Sequence, residues 1–158
     1  MCLTGLAQNE ITKLTLKKLS ESITKVIKRP VKNLQELLDS EREIQNSILT
    51  INLKREKSNH LHFTFMPPEA HTRIFDYLKT RLKSRNPKIH PKINGPLFVN
   101  RYGDSLTTGG MIKIFTQLGN ILGLPHEEGA FRTHRSHGLR KYFISTISNN
   151  TGDNALAD

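Results

Sequence analysis

The chain has 158 residues, and 24 Lys and Arg against 14 Asp and Glu give it a formal net charge of +10. That length fits one domain of roughly 100–200 residues with room for a core, while a mean hydropathy of −0.48 excludes a bilayer-spanning helix, since no apolar run approaches the ~20 residues one needs. A single cysteine, Cys2, excludes a disulfide framework. The first five residues lack the charged-then-apolar pattern of a secretory signal, so a cytoplasmic location is expected, and the surplus of positive charge points to a polyanionic partner, nucleic acid first.

In chain order, Leu16, Leu19, Ile23 and Val26 or Ile27 recur at helical spacing and predict a helix ended by Pro30. Acids concentrate at Glu36, Asp39, Glu41 and Glu43. Leu49, Ile51 and Leu53 then alternate with polar residues, as do Leu61, Phe63 and Phe65 after a turn at residues 56–59. This predicts a two-stranded hairpin with one apolar face. Pro67-Pro68 opens a helix carrying Ile74, Phe75, Leu78 and Leu82. Residues 86–95 read as a loop, residues 96–100 as a short strand, and Tyr102-Gly103-Asp104 as a turn. Met111, Ile114, Phe115, Leu118 and Leu122 define another helix, opened by Thr107 or Thr108 and stopped by Gly123 and Pro125. A last helix is expected over about residues 136–148. The order predicts a mainly α-helical α+β domain with a small antiparallel hairpin.

The cations fall into three runs: residues 13–32, residues 79–92, and a late group of Arg132, His134, Arg135, His137, Arg140 and Lys141. On a helix, His137 and Arg140 stand three residues apart and project from one face. A guanidinium beside an imidazole suits a phosphodiester, because Arg grips two oxygens and His supplies a hydrogen bond or a proton. His60 and His62 share a strand face and could seat zinc, but no further ligand stands at a convincing spacing, so no metal is expected.

His137-Gly138-Leu139-Arg140-Lys141-Tyr142-Phe143 resembles the H-x-L-R-[HK]-[TF]-F box of tyrosine recombinases, the phage-integrase and Xer-like family that includes archaeal-type integrases. Residues 4–14, Thr-Gly-Leu-Ala-Gln-Asn-Glu-Ile-Thr-Lys-Leu, resemble the family's first box, T-G-L-R-x-x-E-[IL]-x-x-L. The hairpin also fits, because the family carries a catalytic lysine on the turn between two strands. Lys57 matches that lysine best, with Lys54 as the fallback.

The resemblance implies DNA integration or site-specific recombination, in which a tyrosine attacks a DNA phosphate to give a phosphotyrosine link. No cofactor is implied, because the covalent link retains the bond energy. Arg140 would bind the phosphate, His137 would act beside it as acid, base or hydrogen-bond donor, and Lys57 would protonate the leaving oxygen. Arg132, His134, Arg135, Lys54 and Lys141 would contact double-stranded DNA. Two departures stand out. Ala7 and Gln8 occupy the places where the family carries its first arginine, and a missing charge-assisted donor costs several kcal/mol in such a transition state. None of Tyr77, Tyr102 and Tyr142 matches the nucleophile, and Tyr142 is expected to pack in the core. The chain therefore reads as a single catalytic-domain portion, residues 1–158, of a protein that would act as a tetramer, with a monomer expected for this stretch. A DNA-binding remnant or regulator without activity is the alternative.

Overall fold

The computed structural model describes residues 4–54, 61–124 and 136–151, apart from the side chains of Ser136, His137 and Thr151. Helix α1 (Gln8–Thr12) leads into α2 (Leu16–Ile27), followed by the short helices α3 (Leu34–Asp39) and α4 (Glu41–Ile44). The hairpin β1 (Leu49–Lys54) and β2 (Leu61–Met66) comes next, then α5 (Pro68–Leu82), a single 3-10 turn at Pro87–Ile89, α6 (Thr108–Ile121) and α7 (Ser136–Thr151). This is an α+β architecture, with helices around one two-stranded antiparallel sheet.

The core follows the helical spacing. Leu16, Leu19 and Ile23 of α2 are fully buried and lie on β1, whose Leu49, Ile51 and Leu53 are buried with them. Phe75 and Leu78 of α5, Leu37 of α3 and Ile44 of α4 complete the cluster. Each such side chain contributes about 1.5–3 kcal/mol by leaving water. Thr15 caps α2 by accepting from the Lys18 N–H, and Asn33 caps α3 by accepting from the Glu36 N–H. Helix α2 ends at Ile27, three residues before Pro30, because Lys28 takes a left-handed conformation with φ 56°. The chain then folds back along α2. There the Ser20 hydroxyl donates to the Val31 carbonyl at 3.2 Å, and the Val31 N–H donates to Thr24 Oγ1 at 3.1 Å. Val31 is thus clamped by two hydroxyls one turn apart.

Three expectations need correction. The hairpin does not have one apolar face. Its register pairs Leu49 with Met66, Ile51 with Thr64 and Leu53 with His62, so the buried face of β1 continues as His62, Thr64 and Met66. Residues directly opposite in an antiparallel pair share a face, so this register sends Leu61, Phe63 and Phe65 outward. Residues 96–100 form no strand either: Pro96 and Val99 each make only an isolated bridge, to Thr15 and Ser105. Pro96 has no N–H to offer a ladder, and the Pro96 and Leu97 carbonyls accept instead from the Arg81 guanidinium at 3.1 and 2.8 Å. In α6, capped by Thr107, only Met111 is buried, while Ile114 and Leu118, and Leu122 just past its end, are exposed.

No helix among the described residues is long and apolar enough to cross a membrane.

Candidate nucleic-acid site

The two recombinase-like boxes meet in space. Gly5 has a φ of +63°, which a residue without Cβ adopts freely, and the Phe143 ring of α7 lies against it. A Cβ placed on Gly5 would stand 2.5 Å from Phe143 Cε1, closer than carbon atoms can approach. Helix α6 touches both α1 and α7, so the opening segment, α6 and the last helix form one assembly.

The hairpin joins this assembly through its inward face. The Thr64 hydroxyl donates to the Thr4 carbonyl, and His62 Nε2 stands 3.4 Å from Glu10 Oε1, a pair that is ionic when the imidazole is protonated. The same Glu10 carboxylate accepts from the Ala7 N–H at 2.7 Å. That is half of a capping box, since alanine has no side-chain oxygen to complete it. Ala7 caps the start of α1 and Gln8 is its first residue, and both are half-buried. Ala7 and Gln8 therefore lie close to the glycine that receives α7.

Arg140, one turn before Phe143 on α7, is half-buried, while Lys141 beside it is exposed. His137 belongs to the first turn of α7, with its side chain outside the described residues. Lys57, Arg132, His134, Arg135 and His60 also lie outside them. Lys54, at the end of β1, is exposed. Tyr142 is not a core residue as expected, because 66% of its surface is open to solvent. Its neighbour Phe143 makes the packing contact instead, since consecutive helical residues point about 100° apart. No group of three metal-ligating side chains occurs among the described residues.

Two of the basic runs divide between structure and surface. Arg81 is 4% exposed, and its Nε donates to the Ile89 carbonyl at 2.7 Å in addition to the two contacts already described. Burial pulls its guanidinium below the ordinary arginine value, opposed by the nearby Tyr77 phenol. Lys79 pairs with Glu41 at 2.6 Å, and Arg29 pairs with Glu43, so the acidic stretch 36–43 takes up part of both runs. Other lysines gather at an open groove of about 590 Å³ along α2. Lys17 and Lys25 stand on one helical stripe with Ser20, Glu21 and Thr24, and Lys32 faces them from the clamped return strand. This convergence depends on the Lys28 reversal and the two hydroxyl contacts to Val31, neither of which periodicity reveals.

No known protein family, curated protein or solved structure matches the chain.

Proposed function

We propose that the chain is a duplex-DNA-binding domain of the tyrosine-recombinase type, in which Arg140 contacts the scissile phosphate. The observation that carries this reading is the packing of Phe143 on Gly5. It brings the helix bearing H-x-x-R against the T-G-L segment, while the hairpin rests on the same segment through Thr64 and Thr4. The T-G-L segment, α7 and strand β2, far apart in sequence, thereby become neighbours, which supports a composite phosphate site. In this reading the half-buried Arg140 supplies a charge-assisted donor to the phosphate. His137 acts from the preceding turn, and Lys57, on the connection between β1 and β2, protonates the leaving oxygen. The lysines of the α2 groove hold flanking backbone.

The second reading, a DNA-binding remnant or regulator without strand cleavage, is favoured by Ala7 and Gln8. An alanine offers a phosphate nothing, and an amide can donate it a hydrogen bond but cannot neutralise its charge.

Both readings require duplex binding that weakens steeply with salt, with a slope near 0.9 per phosphate contact. Replacing Lys17, Lys25 and Lys32 together by Gln should lower that slope by about 2–3. Arg140→Ala should lower affinity more than Arg85→Ala, because a half-buried guanidinium aimed at one phosphate does more than an exposed one. Equal effects from the two arginines would reject the site, and salt-independent binding would reject DNA altogether. On a nicked suicide duplex this chain should form no covalent adduct. An adduct abolished by Tyr142→Phe would instead make the exposed Tyr142 the nucleophile.

A further inference from the structure

The outward face of the hairpin is apolar where solvent should favour polar residues. Leu61 is 82% exposed, Phe63 62% and Phe65 55%. Scattered exposed apolar residues are ordinary, but a contiguous row of three on one strand marks a surface that receives a partner. Register fixes the row's composition. Across from Leu61, Phe63 and Phe65 stand Lys54, Asn52 and Thr50, so the face contains a cation, two polar neutral residues and no acid.

Two occupants compete, a second copy of the chain and a ligand with flat apolar surfaces and negative charge. Fully covered aromatic side chains bury about 150–250 Å² each. At the exposures observed, the row therefore offers on the order of 400 Å², about half of what each partner of a stable dimer contributes. A second copy would also bring Lys54 and a net charge of +10 against their own kind. Unpaired nucleic acid fits better. Its bases stack on aromatic rings carried by a sheet, while its phosphates are drawn to Lys54 and to the chain's net charge of +10. Phe63 and Phe65 meet edge to face, with centroids 5.5 Å apart and planes 72° apart. Such a contact occupies at most one of the pair's four ring faces. In an intact duplex the base faces are already stacked on one another, so this surface selects single strands.

We propose that the outer face of the β1–β2 hairpin is a stacking platform for unpaired nucleobases, with Phe63 and Phe65 as the stacking rings and Lys54 as the adjoining phosphate contact. The proposal shares with the duplex reading the premise that nucleic acid is the partner and the use of Lys54 as a phosphate contact, so its test turns on Phe63 and Phe65 alone.

The test is the affinity of the full chain for fluorescein-labelled dT20 and for a labelled 20-base-pair duplex, measured by anisotropy at fixed salt. Phe63→Ala with Phe65→Ala should weaken dT20 binding by at least ~10-fold, since each lost base stack costs about 5- to 150-fold. Duplex affinity should change less than about 3-fold. Leu at both positions keeps the apolar character but removes the rings, and should bind dT20 as poorly as the alanine pair; Tyr at both should restore binding. Because both side chains are exposed, unchanged thermal melting should accompany these results. Leucine variants that bind dT20 like the wild type would overturn the proposal. So would a concentration-dependent dimer in sedimentation velocity that the alanine pair dissolves. Wild-type binding to duplex but not to dT20 would overturn the platform and leave the duplex reading standing. Ring-dependent binding to dT20 without duplex binding would do the reverse.

Discussion

Replacing Arg81 by methionine should destabilise the chain by about 3 kcal/mol or more, read as a lowered midpoint in urea denaturation with an unchanged slope. Methionine fills much of the arginine's volume but donates nothing. The carbonyls of Ile89, Pro96 and Leu97 would then lose their guanidinium donors, the Leu97 carbonyl in the buried interior and the other two at its half-buried edge. An unsatisfied buried acceptor costs about 1–3 kcal/mol, and hydrogen bonds to a charged group are the stronger kind. The damage should spread beyond α5, because the segment that Arg81 holds also receives the start of α2. The Leu97 N–H donates to the Leu14 carbonyl at 2.8 Å, and the Leu16 N–H donates to the Gly95 carbonyl at 3.0 Å. Lysine should rescue little, since one ammonium on a flexible stem cannot match a planar fork aimed at three carbonyls. A loss under about 1 kcal/mol would mean that these carbonyls find other partners.

Gly5→Ala should cost about 2 kcal/mol and should also remove most of the Arg140-dependent part of duplex affinity. A left-handed φ costs a residue with a Cβ about 1–2 kcal/mol, and the new methyl would drive into the Phe143 ring. The double variant with Phe143→Leu separates the two causes. If the ring contact matters, the pair should be less destabilised than the sum of the singles by about 1 kcal/mol. Strict additivity would leave backbone strain as the whole effect and would detach Gly5 from the placement of α7.

The sequence showed best where one physical rule acted alone. Helices α2, α5 and α6 follow from their apolar spacing, with Pro68 and the Thr107 cap marking two of the starts. The last helix also begins as expected, at Ser136, and runs past residue 148 to Thr151. Short elements were not legible: α1, α3 and α4 have four to six residues each, too few for a helical period to declare itself. The hairpin's existence was legible and its faces were not. Alternation gives each strand two sides, but only the register decides which side of β2 joins the buried side of β1, and the register is set by the connection between them. Charge misled in another way. Arg81 sits within a run of cations that reads as a solvated or DNA-facing stretch, yet it is the most structural of them. A count of positive residues does not distinguish a guanidinium that meets three carbonyls from one that meets water.

The meeting of Gly5 with Phe143 also bears on when the protein becomes whole. During synthesis the T-G-L segment leaves the ribosome well before its partner helix, which lies about 130 residues later in the chain. Closing so long a loop carries an entropic cost that local helices do not bear, and contacts of this kind slow folding. Helices α2 and α5 and the hairpin can assemble early around their own apolar residues, while the packing of Gly5 on Phe143 waits for the later helix. A chain interrupted before α7 would thus keep much of its core and much of its charge while lacking the contact that joins its two ends.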